Sequence, residues 1–205
     1  AWISAAQYPI KIDPTLEQEG DAADGYIRGY SSSSYATARS TSSNFTDTTT
    51  ANVGQTGPSY YVYRTYLKFD TSSLDGEDVV QVNLDLFASG DYSATDFDVQ
   101  IVKQNWGSQE PLSDAANREA AYDNCLTSPA DLSIWINSSD YATGRHVSGN
   151  LDTSWINKTG YTYYSLRSDR DYENIAPTGN ESVQVYTADA AAAYRPRLVI
   201  VYGVE

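Results

Sequence analysis

At 205 residues the chain is long enough to bury one good core, and 13 basic against 27 acidic side chains leave it with a net charge of −14. That sign repels phosphate backbones and anionic lipid, so nucleic acid is not an expected partner. No apolar run approaches the roughly 18 residues that span a bilayer, and one cysteine with one histidine can make neither an internal disulfide nor a zinc site.

The sequence holds no methionine, which implies that Ala1 was exposed by cleavage of a longer precursor. The expectation is an exported protein, extracellular or on the cell surface, whose signal peptide has been removed and whose mature chain does not insert in a membrane. Abundant Ser, Thr and Tyr, the last numbering 18, favour pleated and half-wet surfaces.

From the N-terminus, residues 1–20 read as an extension ahead of a domain at 21–205. Trp2 and Ile3 are followed by Tyr8, Ile10 and Ile12, which alternate with Pro9, Lys11 and Asp13 as a strand does. Burying this apolar ribbon requires a sheet, either its own or that of a neighbouring subunit. In the second case Trp2, Ile3, Tyr8, Ile10 and Ile12 are subunit contacts of a donor strand, Glu19–Gly25 is the hinge, and copies of the chain join head to tail.

Further on, Tyr61, Tyr63, Leu67 and Phe69 alternate with Arg64, Tyr66 and Lys68, predicting a strand with one core face and one wet face. The same period links Val82, Leu84 and Leu86, then Phe97, Val99 and Ile101, then Val183 and Val185, then Leu198, Ile200 and Tyr202. Turn-forming clusters such as Ser89-Gly90-Asp91 separate them. The fold class predicted is all-β, an antiparallel β-sandwich or jelly roll. One short inserted helix is expected, capped by Ser113 and running through Ala121, with single turns near Asp152–Ile156 and Ala190–Ala193.

Several strings resemble the DNRLRE domain family of secreted surface proteins. They are Asp24-Gly25-Tyr26-Ile27, YATARS at 35–40, VGQ at 53–55 and YRTYLKFDTSSL at 63–74, then INKTG at 156–160, LRSDRD at 166–171 and YRPRLVIVY at 194–202. The resemblance spans roughly residues 24 to 202. It implies a jelly-roll-like sandwich, often a module of adhesive or carbohydrate-associated surface proteins.

For chemistry the inventory is thin. His146 sits in a turn-like stretch without an identifiable Ser and Asp, and Cys125 lacks the flanking pattern of a nucleophile, so no catalytic residue and no enzyme activity are expected. No cofactor and no metal site are expected, although Asp21 with Asp24, Asp91 with Asp96, and Asp169 with Asp171 could contribute oxygens to Ca2+. Four sequons make Asn44, Asn137, Asn157 and Asn180 glycosylation candidates. Trp106, Trp135, Trp155, Tyr161 and Tyr164 could stack on sugar rings if their faces are open, and would otherwise be core. The leading expectation is a non-enzymatic subunit of an extracellular filament, with a glycan-binding or adhesive module as the alternative.

Overall fold

The computed structural model describes residues 14–203, the side chains of 131–133 excepted. The strands are β1 (Thr15–Glu19), β2 (Gly25–Ser31), β3 (Ser42–Thr46), β4 (Thr50–Thr56), β5 (Tyr60–Asp70), β6 (Asp78–Asp91), β7 (Asp98–Lys103), β8 (Ala130–Asn137), β9 (Gly144–Val147), β10 (Tyr161–Ser168), β11 (Asn180–Tyr186) and β12 (Arg197–Gly203). Three α-helices join them: α1 (Tyr35–Ser40), α2 (Ala115–Thr127) and α3 (Asp169–Tyr172).

All ladders are antiparallel, and they follow one path, β1-β12-β6-β11-β4-β5-β10-β7-β8, with β2 on the other edge of β5, β3 beyond β2, and β9 against β6. β4 meets β5 only over Gly54–Thr56, and there the sheet curls. Its two halves close on a core that takes Val82, Leu84, Leu86, Val183, Val185, Leu198 and Ile200 from one side, with Leu67, Phe69, Val99, Ile101, Tyr164 and Leu166 from the other. This is the all-β sandwich that the alternation predicts. These side chains are almost entirely withdrawn from water, and burying each one contributes about 1.5–3 kcal/mol.

β5 departs from the expectation of one wet face. Val62, Arg64 and Tyr66, which point away from the sandwich interior, are fully buried in a second core with Ile27, Tyr35, Ala38, Trp106, Ala121, Tyr122 and Cys125. The cover is α1 and α2. Asp114, rather than Ser113, caps α2 through Oδ1, accepting from the N–H groups of Ala116 (3.0 Å) and Asn117 (3.1 Å). The helix then runs six residues past Ala121, because Ala121, Tyr122 and Cys125 bury one stripe against the sheet. YATARS is helical as well, started by Ser34 Oγ accepting from Thr37 N–H.

Arg64 is affordable in that core because four of its five N–H groups have acceptors, Nη2 also donating to the Arg39 carbonyl at 3.1 Å. Its Nε and Nη2 fork onto Asp171 at 2.8 and 3.0 Å, Nη1 donates to the Tyr122 carbonyl at 2.7 Å, and the guanidinium lies 3.8 Å from the centroid of the Tyr122 ring. Arg167 is satisfied differently, by the Cys125, Leu126 and Ser128 carbonyls at 2.7 to 2.9 Å and by Gln100 Oε1 at 2.8 Å. Buried charge of this kind is tolerated only when paired and hydrogen-bonded.

The donor-strand residues Trp2, Ile3, Tyr8, Ile10 and Ile12 lie outside the described residues. The stretch after them, placed by the sequence in the extension, is strand β1 on this chain's own sheet, in register from Thr15 opposite Val201 to Glu19 opposite Arg197. In the expected hinge, Glu19–Gly25, Asp21 N–H donates to the Lys68 carbonyl at 2.8 Å and Asp24 N–H to the Asp21 carbonyl at 3.0 Å. Asp24 itself is buried; Oδ1 accepts from Lys68 N–H at 2.7 Å while Oδ2 has no partner, and burial holds its carboxyl well above the usual range.

Candidate functional site: an aromatic cleft at the open edge of β10

β7 stops at Lys103, which pairs with Tyr164, so among the described residues no strand continues beside Tyr161–Tyr163 on that side of β10. The chain is diverted there by its own side chains. Gln104 turns inward, donating to the Ala121 carbonyl and accepting from Ser165 Oγ, both at 2.8 Å. One turn of 3-10 helix at Trp106–Gln109 then buries Trp106, whose indole N–H donates to the Tyr164 carbonyl at 3.2 Å. Gly107 lets this turn lie against the ring of Tyr163, where a Cβ would collide.

The opposite wall is the loop between β9 and β10. Leu151 anchors its start in the core, Leu151 N–H donating to the Val82 carbonyl at 2.8 Å. Asp152 caps a second 3-10 turn at Thr153–Trp155, and its bonds from Ser154 hold the carboxyl below the usual range. Thr71 Oγ1 clamps the far end, bonding the Asn157 and Gly160 carbonyls and Thr162 Oγ1. Trp155 is thereby fixed half-buried, its ring 6.1 Å from that of Tyr164 beneath it and 5.5 Å from Lys103 Nζ.

Between these walls is a cleft of about 240 Å³ lined by Lys103, Asn105, Trp155, Asn157, Tyr161 and Tyr163, among others. Tyr161 is 38% exposed, and its outer part carries Lys68 Nζ 4.2 Å from the ring centroid. Burial depresses the Lys68 ammonium, but a 2.8 Å bond to Glu110 and the charge of Asp21 outweigh it and raise the pKa. The cleft thus offers a fixed indole, a tyrosine ring, an ammonium without an ion pair among the described residues, and amide and hydroxyl groups. That mixture of flat apolar faces and convergent polar groups suits a polar ring.

A second hollow of about 340 Å³ lies between Phe45, Trp106, Pro111 and Leu112, with Asp47 and Glu110 at its rim. Its rings are walls of the second core rather than open faces; Trp106 has no exposed surface. Burial and a hydrogen bond to Asp189 push the Asp47 carboxyl up to about 6.

Of the five aromatic residues named from sequence, the cleft brings together Trp155 and Tyr161. Trp106, Trp135 and Tyr164 are core residues with no face to offer a sugar, Trp135 spending its N–H on the His146 carbonyl. Tyr163 and Lys103 were not foreseen. Tyr163 sits two residues from Tyr161 on the same face, a signal the period-two pattern did contain. The four sequons are scattered: Asn44 on β3, Asn137 at the end of β8, Asn157 on the cleft rim with Nδ2 donating to the Tyr161 carbonyl, and Asn180 at the start of β11.

His146 is on strand β9, not in a turn; its Nε2 lies 2.7 Å from the Ala142 carbonyl and its ring packs on Trp135 and Tyr141. Cys125 is buried in α2, and burial pushes its thiol up to about 11, the opposite of nucleophile activation. Asp91 accepts from Ser93, Asp169 from Arg170 and Asp98 N–H groups, and Asp171 from Arg64. Among the described residues no three Asp, Glu, His or Cys side chains converge on a metal position, and no helix is long and apolar enough to cross a membrane.

No family model matches the chain, and no curated protein is similar to it. The fold and this cleft define the class: an antiparallel β-sandwich with an aromatic surface site.

Proposed function

We propose that the chain is a non-enzymatic, extracellular glycan-binding module of a DNRLRE-like surface protein, and that the Trp155 cleft is its sugar site. The observation that carries this reading is the rigid presentation of Trp155 and Tyr161 at an interrupted strand edge, beside Lys103, Asn105 and Asn157. Trp155 and Tyr161 supply stacking faces, while the amides and the ammonium fix the orientation of hydroxyl groups.

Affinity electrophoresis through gels cast with soluble polysaccharides tests it. Retardation by at least one polysaccharide, lost in Trp155→Ala and Tyr161→Ala but kept in Tyr92→Ala, supports the reading. Retardation by an uncharged polysaccharide that survives both cleft substitutions removes the cleft, and release of reducing ends from the gel polysaccharide removes the non-enzymatic part.

The position of β1 favours a second reading. It ends the strand path, its outer edge has no partner among the described residues, and residues 2–12 lead directly into it. A subunit that lays those residues along a neighbour's sheet would build a head-to-tail fibre. Removing residues 1–12 should then abolish filaments in negative-stain micrographs; filaments that persist contradict it.

A further inference from the structure

We propose that the face of β2 and β5 around Arg28 is a second saccharide site, separate from the Trp155 cleft, that takes a sugar bearing a carboxylate. Residues opposite one another in an antiparallel ladder share a face. The registers therefore put Asn44, Arg28 and Tyr63 in one row across β3, β2 and β5, with Tyr30 beside Tyr61 in the next row. The rings confirm the placement: Tyr30 stacks on Tyr61 at 4.8 Å between centroids, Tyr61 on Tyr63 at 6.1 Å, and Tyr26 meets Tyr63 edge-on at 5.8 Å. Tyr30 ends the stack and is 43% exposed.

Arg28 lies over this stack, its guanidinium 5.3 Å from the Tyr61 centroid. Six other arginines pair with carboxylates and the remaining two donate to main-chain carbonyls. Among the described residues Arg28 alone has neither, and its Nε is withdrawn from water without an acceptor there. In a chain of charge −14, acidic partners are plentiful, yet this guanidinium rests on a tyrosine ring and its donors are left for a ligand. A planar guanidinium forks two N–H groups onto a carboxylate.

The neighbours select a sugar. Tyr30 provides the stacking face; the second N–H of Asn44 Nδ2, whose first donates to Thr46 Oγ1 at 2.8 Å, and the Tyr63 hydroxyl, which burial keeps protonated up to about pH 12, provide hydrogen bonds for ring hydroxyls. One isolated positive charge matches a single carboxylate; a polyanionic or phosphate ligand would meet the repulsion of the whole molecule.

Titration calorimetry of the full chain with a galactose trisaccharide carrying one terminal galacturonate in place of galactose, and with the uncharged galactose trisaccharide, tests the assignment. The acidic sugar is expected to bind about tenfold or more tightly than the neutral one, the preference shrinking in high salt. Arg28→Gln should abolish the preference, Arg28→Lys should keep part of it, and Tyr30→Ala, at the exposed end of the stack, should weaken the acidic sugar without disturbing the fold. Trp155→Ala should leave this binding unchanged, so failure of the cleft reading and failure of this one give different results. Equal binding of the two sugars, no binding of the acidic one, stronger binding of a sulfated galactose trisaccharide, or loss in Trp155→Ala rather than in Arg28→Gln would each overturn it.

Discussion

The two faces of β5 bury different chemistry. Toward the sandwich interior, Leu67 and Phe69 meet aliphatic side chains from β6, β11 and β12; toward α2, Arg64 and Tyr66 meet Tyr122, Asp171 and a set of main-chain carbonyls. Leu67, Phe69, Arg64 and Tyr66 are all withdrawn from water, yet the first two are held there by the hydrophobic effect while the second two depend on each polar group finding a partner. The lesson is that a sheet can be covered on both sides and still alternate in sequence, when the second cover is a helix that supplies acceptors.

The contrast can be broken most sharply at Asp171. Asp171→Ala leaves Arg64 charged, buried and without its carboxylate, and should lower stability by about 3–5 kcal/mol in urea unfolding. A loss under about 1 kcal/mol would mean that the carbonyl bonds of Arg64 suffice and the ion pair is incidental. Leu84→Ala on the other core should cost about 3 kcal/mol by lost burial and a residual cavity, in a range of 2–5. The two variants should also differ in salt response, Leu84→Ala showing the wild-type dependence.

A smaller effect is expected at the acidic loops beside β1. Burial raises the Asp24 carboxyl above its unfolded value, so the folded state holds its proton more tightly and the contribution to stability present below pH about 4 is lost as pH rises. Asp24→Asn should therefore raise the thermal midpoint at pH 7 and leave it unchanged at pH 3; a lower midpoint at pH 7 would show that the charge is stabilised by something other than Lys68 N–H.

Asp47 should give the smallest signal, being largely solvated. With its carboxyl pushed up from 3.8 to about 6 by burial and by Asp189, stability is present below about 4 and lost as pH rises through 6. Asp47→Asn should flatten the thermal midpoint across that window relative to wild type, and an unchanged slope would contradict the pairing with Asp189.

Much of the interior was legible. Val82, Leu84, Leu86, Val99, Ile101, Val183, Val185, Leu198 and Ile200 recur with period two, the β6 members between Asn83 and Asp85, and all reach the core. The outer face of β5 was not, because Arg64 and Lys68 look alike in a period-two pattern; only the fold brings α2 and Asp171 over one and leaves the other at the rim. YATARS hid a helix because six residues are too short for periodicity to register. The cleft was half visible: Trp155 and Tyr161 were identifiable as aromatic residues, but which tryptophan keeps an open face depends on where β7 ends. Nothing local marks that end, since it is set by Gln104 turning in to bond Ala121 and Ser165 and by Trp106 seeking the Tyr164 carbonyl.

The most direct measurement is two-dimensional amide NMR of the isotope-labelled chain titrated with the polysaccharide fragment that retards it best. The cleft reading predicts concentration-dependent shifts clustered at Lys103–Asn105 and Trp155–Tyr163, including the Trp155 indole N–H. Shifts concentrated elsewhere, with that indole signal unmoved, would contradict it.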